Sequence, residues 1–251
     1  MTKIYIPILL LFLTAQVAAQ EPKTVSTRTI AAIQKSIVPI VCTQVNDKTW
    51  ELKKIIGSGF LVNKEGYFLT AAHVVLNWEQ STVDVGPCFA AIFIPDITWG
   101  ERDRAAGTFG VQWLKFTDCV YNANLDVAAC KLIQNPFTNP TIAKQVAAAR
   151  LGTIAQHSDG SPIAFTGFPL NFHVPVTSKG YIAAYTAADR RLAIDKSAWP
   201  GASGSPVYDA EGRVIGMVTE TGLALGAGLT YARPVEVLID FLREQKIAFE
   251  K

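Results

Sequence analysis

The sequence predicts an all-β chain, with two six-stranded antiparallel β-barrels in series and a C-terminal helix. Three observations lead there. Short apolar, β-branched runs recur, broken by Gly, Pro, Asn and Asp, which is the pattern of strands and turns. The stretch Asn135-Pro136-Phe137-Thr138-Asn139-Pro140 interrupts this series with turn-forming residues and reads as a linker. From Pro234 to Gln245 the period changes: Val235, Leu238, Ile239 and Leu242 fall on one face of a helix that Pro234 opens. The chain has 251 residues, of which 49% are hydrophobic, enough for one large domain or two small ones.

Taken in order, residues 1–19 have the make-up of a secretory signal peptide. Lys3 gives the positive start, Ile4 to Thr14 the apolar run, and Val17-Ala18-Ala19 the small residues before a cut expected between Ala19 and Gln20. The alternative is an uncleaved anchor, for which the run is short, since a span needs about 20 apolar residues. Residues 20–35 form an N-terminal segment with a short helix over Val25–Gln34. The first barrel is expected over residues 36–134, from the runs Ile37–Val45, Ile55–Val62, Tyr67–Ala71, Val83–Ile94, Val111–Phe116 and Asp126–Ile133. After a linker over 135–149, the second occupies 150–233, from Gly152–Ala155, Ile163–Gly167, Val174–Tyr185, Arg191–Ile194, Ser205–Tyr208, Val214–Thr219 and Gly228–Ala232. Closing each sheet removes exposed edges. Residues 234–251 carry the C-terminal helix, and helix is expected only at the two ends. Two loops stand out. Pro95–Gly110, rich in charge, either shapes a cleft or is a solvated insertion, and Ala155–Pro162, which holds His157, reads as a polar turn.

A net charge of +2 argues against nucleic acid as a partner. Lys53-Lys54 and Arg190-Arg191 read as solvated strand ends. No later segment reads as a membrane span, so no membrane contact is expected after signal cleavage. Export gives the four cysteines a meaning, because an even number in an oxidising compartment suggests disulfides, and four allow three pairings. Four buried thiols are the alternative. With no CxxC pair and only three His, no metal site is expected, and no cofactor.

The chemistry lies in three segments: Thr70-Ala71-Ala72-His73, Asn124-Leu125-Asp126-Val127-Ala128 and Gly201-Ala202-Ser203-Gly204-Ser205-Pro206. A hydroxyl is a weak nucleophile near neutral pH and needs a base beside it. Histidine suits that role, because its ordinary pKa lies near the working pH. A carboxylate can then fix the imidazole's tautomer and stabilise the imidazolium. His157 and His173 have no comparable setting.

The order and wording of these segments resemble the trypsin-like serine proteases, above all the HtrA-like bacterial branch, over roughly residues 36–245. Gly57-Ser58-Gly59-Phe60-Leu61-Val62 resembles the strand ahead of the His, Gly167-Phe168-Pro169 and Val176-Thr177-Ser178-Lys179-Gly180 the early second barrel, and Asp195–Pro206 the nucleophile loop. The resemblance implies a chymotrypsin-like double barrel and a secreted or periplasmic endopeptidase acting on polypeptides without a cofactor. Ser203 is then the nucleophile, His73 the base, Asp126 its orienter, and the N–H groups of Gly201 and Ser203 the oxyanion hole. Barrel neighbours in this family favour Cys42 with Cys88 and Cys119 with Cys130. For the substrate pocket the resemblance points to Ser197 and Leu229 at its base and to Thr219, Glu220 and Thr221 along the peptide. Leu229 would favour small aliphatic residues before the cut, whereas Glu220 would attract a basic one. HtrA-like chains often continue into a PDZ domain, for which this sequence has no room. Ala202 stands where digestive enzymes of the superfamily carry an acid that pairs with a newly cut N-terminus, so the oxyanion loop is expected to be ordered by other contacts or by substrate. Ser205 replaces a more usual Gly. Two other functions fit the same fold: a catalytically silent peptide-binding or chaperone-like protein, and an esterase. The oligomeric state is not legible.

Overall fold

The computed structural model describes residues 23–46, 49–80, 88–94, 110–140, 142–221 and 228–251. The segment read as a signal peptide and most of the Pro95–Gly110 loop lie outside these. Among the described residues, seven strands form the first sheet: β1 (Ile37–Asn46), β2 (Thr49–Leu61), β3 (Tyr67–Thr70), β4 (Cys88–Ile94), β5 (Gly110–Leu114), β6 (Phe116–Asn122) and β7 (Val127–Leu132). They lie in the order β5-β4-β1-β2-β3-β7-β6, each antiparallel to its neighbours. The edge strands β5 and β6 follow one another in the chain, separated by Lys115, whose carbonyl accepts from the Ile133 N–H at 2.9 Å. One bent strand thus joins the two edges, and the sheet curls into a barrel. The expected strand Val111–Phe116 therefore ends two residues early, at Leu114, and Phe116–Asn122 forms a further strand that the sequence does not announce. Its period is broken by Asp118 at φ 50° and by a register shift between Thr117 and Val120.

The second sheet comprises β8 (Arg150–Leu151), β9 (Pro162–Gly167), β10 (Val176–Thr186), β11 (Arg191–Ile194), β12 (Pro206–Tyr208), β13 (Arg213–Thr221) and β14 (Thr230–Pro234). Its order is β12-β9-β10-β11-β14-β13-β8, and a β12–β13 pairing closes six of the strands into a barrel. The seventh, β8, joins β13 in parallel, the one departure here from the antiparallel expectation. The run Gly152–Ala155 is not a strand. Ile154–Gln156 form a 3₁₀ turn, and the Glu236 carboxylate accepts from both the Ile154 N–H and the Thr153 hydroxyl at 2.8 Å.

Helix is not confined to the ends. Besides α1 (Thr27–Gln34), capped by the Ser26 hydroxyl, the chain forms α2 (Ala72–Gln80) directly after β3. The last helix, α3 (Val235–Glu244), buries Val235, Val237, Leu238, Phe241 and Leu242. It stops at Gln245, so the final residues are not helical as expected. Instead the Glu250 N–H donates to Val62 O and its carbonyl accepts from the Leu151 N–H, at 3.0 and 2.8 Å. The tail thus runs between the two barrels. Cys119 and Cys130 form a disulfide across β6 and β7. Cys42 is disulfide-bonded and stands opposite Cys88 in the β1–β4 register, although the Cys88 side chain lies outside the described residues.

One buried ion pair sets an expectation for stability. Asp209, 1% exposed, closes the β12–β13 turn, accepting from the N–H groups of Glu211 and Arg213 and from Arg213 Nε at 2.8 Å. Burial pushes its carboxyl up. The combined pull of His157 and of the Arg213 main chain and guanidinium outweighs this and holds it below the ordinary 3.8. His157 Nε2 stands 3.5 Å away, long for a hydrogen bond, so Arg213 contributes the firmer contacts. A depressed folded-state pKa means stability that is present above pH 3.8 and lost as pH falls through the lower, folded value. Asp209→Ala is expected to cost on the order of 3 kcal/mol at neutral pH and to flatten the acid end of the stability curve. Denaturant melts between about pH 2 and pH 7 check this, and a variant with the wild-type acid slope would contradict it.

Candidate active site

β3 buries Phe68, Leu69 and Thr70 and delivers the chain to α2, whose second residue is His73. The helix can approach β2 because position 57 is Gly, where a Cβ would stand 2.5 Å from Val74 Cγ1. Asp126 sits in the turn before β7, at φ 54°, a left-handed conformation that Asp tolerates better than most residues. The turn is held by the Asn122 side chain, which accepts from the Leu125 N–H at 3.1 Å. Its geometry aims the carboxylate at His73. Oδ2 lies 2.9 Å and Oδ1 3.1 Å from the ring Nδ1, and Oδ1 also accepts the His73 main-chain N–H at 2.9 Å. A carboxylate only accepts, so in the neutral ring the proton sits on Nδ1 and Nε2 keeps its lone pair. The His73 side chain is 40% exposed and Asp126 18%, so the ring is open to a reactant while its partner is largely shielded.

The second barrel reaches across to this turn. Arg233 of β14 donates through Nε to Leu125 O at 2.7 Å and through a terminal nitrogen to Asn124 O at 3.4 Å, while its other terminal nitrogen bonds the carbonyls of Asp189 and Arg190. Arg233→Ala would leave carbonyls in both barrels without their charged donor. It is expected to cost about 2 kcal/mol of stability and to loosen the Asp126 turn. Denaturant melts beside turnover measurements check this, and a variant matching wild type in both would contradict it.

Ser203 lies between β11 and β12, and the main-chain bonding around it is highly ordered. The carbonyl of Pro200 accepts from the Leu170 N–H at 2.8 Å, that of Gly201 from the Ser58 hydroxyl at 2.8 Å, that of Ala202 from the Ser205 N–H at 3.0 Å, and that of Ser203 from the Ser58 N–H at 2.8 Å. The N–H of Ala202 donates to Trp199 O at 2.9 Å and that of Gly204 to Val218 O at 2.8 Å. Among the described residues, the N–H groups of Gly201 and Ser203 have no acceptor. These are the two donors expected to form an oxyanion hole. Gly201 has φ +95°, and a Cβ there would stand 2.6 Å from Phe168 O, so Gly is required. The Ser203 hydroxyl is half-buried and makes no hydrogen bond among the described residues, including none to His73. Ala202 backs onto a cavity of about 90 Å³ lined by Phe165, Pro169, Val176 and Trp199. Ser205 is fully buried with its hydroxyl unpartnered.

The proposed substrate residues are less closely associated. The Ser197 hydroxyl donates to Gly228 O at 3.1 Å, which joins the loop before Ser203 to the segment leading into β14. Leu229 is half-buried beside it and Thr219 is buried in β13. Glu220 and Thr221 pair through their main chain with Tyr231 and Thr230, and their side chains lie outside the described residues. Among the described residues no group of three or more His, Cys, Asp or Glu is placed to hold a metal ion. Three contributors escaped the reading of the sequence: the Ser58 hydroxyl, the Leu170 N–H and Arg233. The only advance signal was the pair of glycines around Ser58, since Gly inside a strand often marks a close approach of another backbone.

Two β-barrels joined in this way make up the chymotrypsin-like double-barrel fold. The profile of the trypsin-like peptidase domain family matches residues 57–217, and the chain belongs to that family. Among curated proteins it is similar to a probable periplasmic serine endoprotease DegP-like from Halomonas elongata, 26% identical over 198 residues, covering 76% of this chain and 35% of that protein. It is also similar to serine protease HTRA1B of Danio rerio, 25% identical over 225 residues, covering 86% of this chain and 40% of that protein. The chain thus spans well under half the length of these relatives. The solved structure of the HtrA-type protease AlgW with decapeptide shares the fold, with a TM-score of 0.62 at 17% identity, covering 86% of this chain and 65% of that one.

Proposed function

We propose that this chain is a serine endopeptidase that works outside the cytoplasm, secreted or periplasmic, and hydrolyses polypeptides through an acyl-enzyme. The observation that carries this reading is the pair of N–H groups at Gly201 and Ser203 that have no acceptor among the described residues, in a chain whose His73 is locked by a carboxylate. The Ser203 oxygen attacks the scissile carbonyl carbon as its proton passes to His73 Nε2. The new C–O bond pushes the carbonyl electrons onto oxygen, where the two N–H groups receive the charge. Collapse breaks the C–N bond, and the imidazolium returns its proton to the leaving amine. A water, deprotonated by the same ring, then releases the acid and restores Ser203. Asp126 holds the ring's tautomer and orientation throughout. The apolar N-terminal run and the periplasmic description of the DegP-like relative support the location.

A silent peptide-binding protein is favoured by one observation, the absence of a Ser203–His73 hydrogen bond. Such bonds are often loose without substrate and tighten on binding. Covalent labelling by a fluorophosphonate separates the two: the endopeptidase labels on Ser203, whereas no labelling of folded protein between about pH 6 and pH 9 would favour the binder.

A further inference from the structure

We infer that Ser58 is a positioning residue for the oxyanion hole, tying the nucleophile loop of the second barrel to the wall of the first. The inference rests on the hydrolytic reading above. Ser58 lies in β2 with 0% exposure, and its N–H, carbonyl and hydroxyl each have a hydrogen-bond partner. Its hydroxyl donates to Gly201 O at 2.8 Å and accepts from the Phe168 N–H at 2.9 Å. Its N–H donates to Ser203 O at 2.8 Å, and its carbonyl accepts from the Thr70 hydroxyl at 2.7 Å, three residues before His73.

In a peptide unit the C=O and N–H point in opposite directions. Pinning a carbonyl therefore aims the next residue's N–H. The Ser203 N–H belongs to the Ala202–Ser203 peptide, whose carbonyl the Ser205 N–H holds at 3.0 Å, and Ser58 fixes the two flanking peptide units through the Gly201 and Ser203 carbonyls, so that the peptide between them is held at both ends. The Gly201 N–H is aimed by the other end of the same arrangement, the strap Phe168–Phe172. Leu170 N–H holds Pro200 O, and the strap is seated by Ser58 at Phe168 and by Asn171, whose Oδ1 accepts the Ile55 N–H of β2 at 2.8 Å. Leu170 and Asn171 both adopt left-handed φ, at 53° and 60°. A Leu in that conformation is strained and persists only where its surroundings dictate it. Here Ser58 and Asn171 anchor the strap to β2 on either side of it. An ion pair at position 202 is therefore not needed to order the loop.

The test uses saturation kinetics of a rhodamine-tagged fluorophosphonate, in which Ser203 displaces fluoride and the phosphoryl oxygen enters the hole. Ser58→Ala is expected to lower the limiting rate of labelling about a hundredfold, with unchanged half-saturation and the same fraction of protein labelled at completion. A merely structural role would instead lower the labelled fraction and leave the limiting rate alone. That outcome, or a limiting rate within about fivefold of wild type, overturns the inference. Should Ser58→Ala fail to fold, Asn171→Ala is measured in the same way. Its limiting rate is expected to fall and to recover in Asn171→Asp, which keeps the accepting oxygen, whereas a wild-type rate in Asn171→Ala overturns the inference. Wild-type protein that does not label sinks the hydrolytic reading itself, and the role of Ser58 with it. Wild type that labels beside an equally fast Ser58→Ala sinks only the latter.

Discussion

Ser203→Ala is expected to lower peptide hydrolysis on the order of a millionfold while leaving the fold untouched. The two halves of that expectation have separate grounds. Without the oxygen there is no atom to form the acyl bond, and His73 has no proton to take, so only the positioning and electrostatic contributions of the site persist. The protein does not depend on the same oxygen for stability, because it makes no hydrogen bond among the described residues and sits half-buried. Its loss strands no partner, and stability should stay within about 0.5 kcal/mol of wild type. Turnover of unfolded casein, together with a thermal melt, decides the matter. Substantial hydrolysis by the variant would show that another group supplies the nucleophile.

The second large effect is expected one residue further on. Gly204 has φ +86°, and a Cβ there would stand 1.9 Å from Ser58 O and 2.6 Å from Thr70 Oγ1. Ser58 O is main chain in the barrel wall and cannot swing aside, so in Gly204→Ala the loop itself must move. The clash and the left-handed backbone together are expected to cost about 3–4 kcal/mol, and activity should fall with the displaced Ser203. Gly160→Ala is the matched control, since Gly160 also has positive φ (+81°) but nothing within 4 Å of its notional Cβ. It should lose only the conformational part, about 1 kcal/mol, and keep full activity. Equal losses in the two variants would show that backbone strain alone explains Gly204.

The parts of this molecule that announced themselves are those with local causes. Strands broken by turn residues and the α3 face of Val235, Leu238 and Leu242 carry their geometry within a few residues, and the segments around His73, Asp126 and Ser203 carry their chemistry in a few adjacent letters although distant partners set their geometry. What stayed hidden depends on distance. α2 falls where no helix is expected, since helix is placed only at the two ends; Val74 and Val75 are buried in the first barrel, and such packing outweighs the weak helix propensity of β-branched residues. β6 was missed because Asp118 and its register shift break the alternation. β8 is two residues long and exists only because β13 lies beside it. The Ser58–Gly201 bond spans 143 positions, and no neighbouring residue hints at it. A main-chain donor such as the Leu170 N–H has no side-chain signature at all.

Every bond that holds the carbonyls of residues 200–203 comes from a neutral donor: two main-chain N–H groups, and the amide and hydroxyl of one serine. No ionisable group takes part, so neither acidity nor ionic strength acts on this scaffold directly. A loop clamped by a carboxylate–ammonium contact would come undone as that carboxylate took up a proton. Here the bonds that hold residues 200–203 carry no titrating proton, so in mild acid, above the range in which Asp209 takes up a proton and the second barrel loses stability, this loop should stay assembled.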